Sequence, residues 1–123
     1  MSAAGPKTRV RARRVTHAPP DSLEAVRAAL RRFAAARDWD QFHLPKNLAM
    51  AMIVEAAELV EHFQWATPEE SLHPSAEKLA EIRDEVADTL IYLVELADAL
   101  DIDLIAAARD KIAKNALKYP APR

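Results

Sequence analysis

The sequence predicts an all-α protein built as a four-helix bundle, and three observations support this. Apolar residues recur every three or four positions over four long segments, as they do on amphipathic helices. Each segment is bordered by a capping residue or a proline. No segment alternates apolar and polar residues as a half-buried strand does. The 123 residues therefore predict one helical domain, residues 21–120, between a leader (residues 1–20) and a short tail (residues 121–123).

The predicted helix borders rest on residue types with known end preferences. Asp21 is the predicted N-cap of the first helix, with Glu24 completing a capping box. Pro45 suits the first turn of the second helix, because an N–H would have no helical partner there. A short polar loop then favours an antiparallel pair of second and third helices. The predicted ranges are Asp21 to about Arg37, Pro45 to about Gln64, Ser75 to about Leu100, and Asp101 or Asp103 to about Lys118.

The composition excludes several classes of site. The single glycine, Gly5, rules out a P-loop or a dinucleotide fingerprint, because both need glycines where the backbone approaches phosphate. The absence of cysteine rules out disulfides, thiolate metal sites and a cysteine nucleophile. Because this absence also fits a reducing compartment, we expect a cytoplasmic protein. No apolar run approaches the roughly 20 residues that span a bilayer, so no membrane partner is expected.

Charge is divided unevenly along the chain. Residues 1–20 carry five basic side chains and no acid, so the net charge of −2 is +5 in the leader and −7 in the rest. The acidic body argues against nucleic-acid binding. The leader is predicted to be disordered, although its basic composition also fits contact with polyanions or a transit peptide.

The second and third helices each carry two acids three residues apart, Glu55 with Glu58 and Glu85 with Asp88. At that spacing the two members of a pair share one helix face. Counting about 100° per residue, Glu55 falls among apolar residues and Glu85 at the border of an apolar face. An unpaired buried carboxylate costs on the order of several kcal/mol, and no basic residue shares these faces. The two pairs therefore predict a divalent cation between the helices.

Four carboxylates without cysteine or histidine form an oxygen-only ligand set, which suits Mg²⁺ or Mn²⁺ rather than Zn²⁺ or Cu²⁺. Such a metal polarises phosphoryl oxygens and activates water, so the expected reaction is hydrolysis of a phosphoanhydride. A di-iron bundle is disfavoured, because its Glu-x-x-His motif occurs once, from Glu70 to His73, in a proline-flanked loop. A non-catalytic scaffold, whose acids pair with basic residues of another subunit, stays open as an alternative.

The connector of residues 38–44 contains two aromatic residues and a histidine: Trp39, Phe42 and His43. Aromatic and polar residues on such loops often contact ligands, because a rigid scaffold holds them at the surface. The residue types alone favour a simpler interpretation, in which Trp39 and Phe42 plug the end of the bundle.

The last two helices extend the prediction beyond the acids. From Val86 onward the third helix is apolar around most of its circumference, which exceeds what a four-helix monomer can cover. We therefore predict an oligomer. On the fourth helix Lys111, Asn115 and Tyr119 are spaced by four and share a face, which spacing alone predicts to be solvated.

The pattern E-x-x-E, 26 residues, E-x-x-D resembles the motif of the MazG-like all-α nucleoside triphosphate pyrophosphohydrolases. The resemblance covers Leu23 to Pro120 and is closest to the dCTP pyrophosphatase branch. The acid motif is weak alone and specific in combination with other segments. Those segments are Arg37-Asp38-Trp39, Gln41-Phe42-His43, Pro45, Asn47-Leu48, Glu61, Phe63-Gln64-Trp65, Leu90-Ile91-Tyr92-Leu93-Val94, Lys111, Asn115 and Tyr119-Pro120.

The resemblance implies hydrolysis of a nucleoside triphosphate to the monophosphate and pyrophosphate, with Mg²⁺ or in its place Mn²⁺. It implies metal ligation by Glu55, Glu58, Glu85 and Asp88, while Glu61 or one of the first pair orients the attacking water. It also implies a homotetramer, a dimer of dimers. The substrate-binding residues that it implies are Trp39, Phe42, His43, Asn47, Trp65, Tyr92, Lys111 and Asn115.

Two departures from the dCTP-specific relatives affect the choice of base. Leu30 stands where those relatives have a pocket histidine, and the loop between Trp65 and Glu85 is slightly shorter than theirs. We therefore expect dCTP or a related or modified pyrimidine nucleotide as substrate. The same fold also includes phosphoribosyl-ATP pyrophosphohydrolases, an alternative that the aromatic residues of the nucleotide pocket disfavour.

Overall fold

A computed structural model describes residues 17–122. Within that range the chain forms helices, turns and loops but no strand, which confirms the all-α prediction. The leader predicted at residues 1–20 falls mostly outside the described residues, as does Arg123. The elements are α1 (Leu23–Ala36), a 3₁₀-helix (Asp40–Phe42), α2 (Pro45–Glu61), α3 (Pro68–Ser71), α4 (Ala76–Ala99) and α5 (Leu104–Lys118).

The predicted caps of α4 and α5 are confirmed, while that of α1 is wrong by one residue. The side chains of Ser75 and Asp103 accept the backbone N–H groups that open α4 and α5, at 3.2 and 3.0 Å. At α1 the cap is Ser22 rather than Asp21. Glu24 then lies one position too early for a capping box, and its carboxylate pairs with the Arg27 guanidinium instead.

Two connections differ from the predicted boundaries. The second helix ends at Glu61, and residues 62–65 form turns in place of the predicted last turn to Gln64. The loop that follows contains the one-turn helix α3. Thr67 caps α3 by accepting the N–H of Glu70 at 3.1 Å, and Pro68 occupies its first position.

Helices α1 and α4 end in the same way, with an aspartate in the left-handed region. Asp38 and Asp101 have φ of 55° and 54°, values that usually favour glycine. After each, the next N–H bonds back into the last helical turn, from Trp39 to Ala34 at 3.0 Å and from Ile102 to Ala97 at 2.8 Å. This is the Schellman arrangement. Aspartate tolerates the conformation, so the chain ends two helices sharply without glycine.

Helices α2 and α4 form the longest packed pair of the structure. They are antiparallel, because Glu55 of α2 neighbours Glu85 of α4, while His62 lies 3.8 Å from Glu81, earlier in α4. Helix α1 packs against α4 over a shorter length. The buried hydrophobic side chains of residues 17–122 are Ala34, Leu48, Ile82, Val94 and Ala97. Three helices therefore share a small core centred on α4.

Helix α5 makes at most marginal contact with any other described element. Among residues 17–122 the predicted four-helix bundle is therefore not closed: three helices pack together, and α5 is not packed against them. Large apolar side chains remain exposed as a result, including Ile53 on α2 (62%) and Leu117 on α5 (85%). Within residues 17–122, no helix is both long enough and apolar enough to cross a bilayer.

Candidate active site

The packing of α2 against α4 brings three of the four predicted metal ligands together. Carboxylate oxygens of Glu55, Glu58 and Glu85 lie within 4.8 Å of one another. The first two are three residues apart on α2 and share a face, and Glu85 reaches them from α4. Asp88, one turn further along α4, lies outside this group of three and is exposed. The three glutamates are named here the carboxylate cluster.

The carboxylate cluster changes the acidity of its own members. Burial is the main cause that raises the pKa of Glu55 to about 7, followed by a hydrogen bond with Glu85 and by the charge of Glu58. The charge of Asp88 acts in the same direction, so its carboxylate lies near the cluster although it is not part of it. Repulsion between carboxylates and loss of water both disfavour the charged form.

Several features of the carboxylate cluster fit a hard divalent cation. Glu85 Oε2 is buried and has no hydrogen-bond partner among residues 17–122. No lysine, arginine or histidine in that part of the chain forms an ion pair with Glu55, Glu58, Glu85 or Asp88. An unpartnered buried oxygen in an all-carboxylate set is a ligand that Mg²⁺ or Mn²⁺ would take. The residues present therefore fit such an ion.

Beyond the cluster, the same face of α4 continues with Tyr92 and Glu95. Burial raises the pKa of Tyr92, and the negative charges of Glu55, Glu95 and Asp88 raise it further. Burial also raises the pKa of Glu95, whereas His43 lowers it. Along α4, Tyr92 thus lies between Asp88 and Glu95, and His43 of the connector lies near Glu95.

The connector packs against α1 but does not plug the bundle. The Trp39 ring meets Phe33 edge-on at 5.6 Å and lies 6.4 Å from the His43 ring, measured between centroids. Trp39 is 44% exposed and Phe42 61% exposed. Asn47, at the start of α2, donates from its amide nitrogen to the Phe42 carbonyl at 3.2 Å. That hydrogen bond ties the connector to the helix that carries Glu55 and Glu58.

Comparison with known proteins places this arrangement in a family. The model of the MazG-like family matches residues 50–123, which include the carboxylate cluster, Asp88 and all of α4 and α5. The chain belongs to the MazG-like family.

Curated relatives are similar over most of this MazG-like chain. It is 42% identical over 110 residues to dCTP pyrophosphatase 1 of Homo sapiens, covering 88% of this chain and 65% of that protein. It is 41% identical over 112 residues to dCTP pyrophosphatase 1 of Mus musculus, covering 89% and 65%. The chain therefore spans just under two thirds of the length of these relatives.

A solved structure is also similar. It is a pyrophosphatase from Archaeoglobus fulgidus that aligns with a TM-score of 0.77 and 38% identity, over 86% of this chain and 99% of that one. At that identity the likeness extends beyond the shared fold to the sequence.

Four further predicted site residues of this MazG-like chain are not members of the carboxylate cluster. Glu61 and Trp65 line a cavity of about 580 Å³ at the end of α2, where Trp65 is 89% exposed. Lys111 and Asn115 are exposed on α5, the helix with marginal packing. Glu61 follows Glu58 by one turn of α2. Helix α5, in contrast, has too little contact with the other described helices to hold Lys111 and Asn115 against the acids.

Glu95 was missed by the sequence reasoning. It stands in the apolar run Leu90 to Leu96, where an acid is out of place unless it has a partner or a ligand. Its spacing from Asp88 and Tyr92, at seven and three residues, also puts it on their face. These two signals together would have identified it.

Proposed function

We propose that this chain hydrolyses a deoxynucleoside or nucleoside triphosphate to the monophosphate and pyrophosphate, acting on dCTP or on a related or modified pyrimidine nucleotide. One observation carries the proposal: an unpaired carboxylate cluster with an orphaned Glu85 oxygen, in a chain of the MazG-like family. The similarity to dCTP pyrophosphatase 1 of two mammals supports the choice of nucleotide. Such an enzyme would cleanse the nucleotide pool.

Glu55, Glu58, Glu85 and Asp88 are the proposed ligands of Mg²⁺, with Mn²⁺ as a substitute. When bound, the ion supplies charge neutralisation at the phosphates and lowers the pKa of water. Glu61, or one of Glu55 and Glu58, orients the attacking water. Because α2 and α4 pack along each other, their contact would hold Glu55, Glu58 and Glu85 close together before the substrate arrives.

Cleavage at the α-phosphorus accounts for the proposed products. Water attacks the α-phosphorus, the bond to the β-phosphate oxygen breaks, and pyrophosphate leaves while the proton of the water passes to a carboxylate. Lys111 and Asn115 are proposed to bind phosphate oxygens. Trp39, Phe42, His43, Asn47, Trp65 and Tyr92 are proposed to enclose the nucleoside, since stacking on an aromatic ring contributes about 1–3 kcal/mol per base.

We propose a homotetramer, a dimer of dimers, as the working assembly in the cytoplasm. Exposed apolar side chains on α2, α4 and α5 support this, because a monomer would leave them in water. A second chain packed on α5 would cover Leu117 and could bring Lys111 and Asn115 towards an acid cluster.

The proposed function is tested by pyrophosphate release from purified full-length protein. The panel consists of the four dNTPs, the four NTPs and phosphoribosyl-ATP, each with Mg²⁺, with Mn²⁺ and with EDTA. We expect Mg²⁺-dependent release that is greatest with dCTP or another pyrimidine nucleotide. Preference for phosphoribosyl-ATP would support the alternative enzyme. Absence of both turnover and calorimetric nucleotide binding would support a helical scaffold.

A further inference from the structure

A small cavity between α1, α4 and the connector is lined by Glu95, whose side chain forms no hydrogen bond or ion pair with another side chain of residues 17–122. The cavity has a volume of about 60 Å³. Its apolar wall includes Leu30, Ala34 and Val94, and its polar lining includes His43 and Glu95. A volume of about 10–15 Å³ on this measure holds one water molecule, so the cavity has room for a substituent on the edge of a nucleobase.

The two arginines of the same cavity are already engaged by another acid. Arg31 donates two hydrogen bonds to the Asp98 carboxylate, at 2.6 and 2.7 Å. Arg27 donates to Asp98 at 3.0 Å and also to Glu24. Among residues 17–122, no side-chain hydrogen bond or ion pair joins Glu95 to either arginine. Of the two carboxylates that α4 contributes to the cavity, Asp98 is therefore paired with arginine and Glu95 is not, and Asp40 of the connector is a third acid in the lining.

Glu95 also lies at the right distance from the acids for the far end of a nucleotide. It follows Asp88 by seven residues on one face of α4, which is a separation of about 10 Å along the axis. Tyr92 stands between the two positions, and Trp39 and His43 stand beside the Glu95 end. A nucleotide whose phosphates meet the carboxylate cluster would direct its base towards Glu95.

We propose that the Glu95 carboxylate accepts a hydrogen bond from the exocyclic amino group of the substrate base, so that the site selects amino-bearing bases over their keto counterparts. This inference rests on the proposed function and names the group that reads the base. A carboxylate is matched to the donor amino group at position 4 of cytosine. It repels the carbonyl oxygen that uracil and thymine carry there, because both groups are acceptors.

The test compares two substrates that differ only at this base edge. Values of kcat/KM for dCTP and dUTP are measured for the wild type and for Glu95→Gln, whose amide both donates and accepts. We expect the wild type to prefer dCTP and the variant to lower the dCTP-to-dUTP ratio at least about tenfold. Glu77→Gln, the same change on an exposed residue of α4, should leave the ratio unaltered.

Two further measurements separate base recognition from a structural role. A dCTP analogue with hydrogen in place of the 4-amino group should lose more activity relative to dCTP in the wild type than in Glu95→Gln, because the neutral amide oxygen is the weaker acceptor. Calorimetry with dCMP and dUMP should give the same order of affinities without turnover. A ratio that Glu95→Gln leaves unchanged, or an equal loss with both nucleotides, overturns the inference. Wild-type protein that binds dCMP but releases no pyrophosphate refutes the proposed function and leaves base recognition standing.

Discussion

Helices α2 and α5 both carry residues expected to handle a triphosphate, yet only α2 is packed within the chain. Helix α2 lies along α4 and places Glu55 and Glu58 against Glu85. Helix α5 presents Lys111 and Asn115 to solvent and touches the other described helices only marginally. The comparison indicates that the packing of α2 on α4 assembles the carboxylate cluster, while the proposed phosphate-binding residues of α5 would need contacts beyond those seen among residues 17–122.

The largest expected effect is on the turnover of variants of the proposed metal ligands. Asp88→Asn and Glu58→Gln each remove the charge of one proposed metal ligand while keeping side-chain size. We expect either change to lower kcat for pyrophosphate release at least about a hundredfold. The far-UV circular dichroism should not change, because neither side chain is part of the buried core.

Glu77→Gln is the matched control for these variants, since it alters an exposed glutamate in the first turn of α4. Pyrophosphate release by Asp88→Asn or Glu58→Gln at the wild-type rate would refute the assignment of these acids to the active site.

The next effect concerns α5. If α5 is covered by a second chain, Leu117→Glu places a charge in that interface and should weaken assembly at least about tenfold in dissociation constant. Leu117→Met keeps the position apolar and should preserve assembly. Light scattering coupled to size-exclusion chromatography measures the mass of each. A Leu117→Glu protein with wild-type mass at micromolar concentration would show that the exposed side of α5 is not an interface.

These two regions also differ in how well the sequence predicted them. The acid pairs were found because Glu55 and Glu85 interrupt helical apolar faces, and periodicity shows such interruptions directly. The projection of α5 was not foreseen, because its apolar pattern is the same whether a neighbouring helix belongs to this chain or to another. Periodicity indicates that an apolar helix face is covered, but it does not identify the neighbouring helix that covers it.

Local errors have equally local causes. Ser22 and Asp21 are both good capping residues, and their neighbours in sequence do not distinguish them. The ends at Asp38 and Asp101 depend on a positive φ that aspartate adopts only when the turn demands it. The sequence marks Glu95 by its place in an apolar run and by its spacing from Asp88, but it does not show the cavity beside Glu95 that suggests a role.

A smaller effect is expected on the pH dependence of stability in metal-free protein, because the pKa of Glu55 is raised. Its pKa is raised from 4.5 to about 7 in the folded chain, so the folded state binds more protons than the unfolded state between these values. Stability from this group is therefore fully present below pH 4.5 and is lost as pH rises through 7. In EDTA, the melting temperature of the wild type should fall over that window relative to Glu55→Gln.

The affinity for Mg²⁺ should increase with pH, whereas the stability contribution of Glu55 decreases. Because a ligand carboxylate must be deprotonated, Mg²⁺ affinity measured by calorimetry should rise as pH increases towards 7 and then level off. Identical pH profiles of melting for the wild type and Glu55→Gln would contradict the raised pKa of Glu55.

The smallest effect is expected where α1 meets α4, at the ion pairs of Asp98. The hydrogen bonds from Arg31 are the main cause that lowers the pKa of Asp98, with Arg27 adding to them. Because the folded pKa lies below the unfolded value of 3.8, this stabilisation is present above pH 3.8 and is lost as pH falls through the folded pKa.

Asp98→Asn removes these ion pairs and should lower the melting temperature at pH 7 by only a few degrees. The effect is small because Arg31 is 58% exposed and screened by water. Asp101→Asn is the control, because asparagine also tolerates the positive φ at this position. A wild-type melting temperature for Asp98→Asn would mean that apolar packing alone holds α1 on α4.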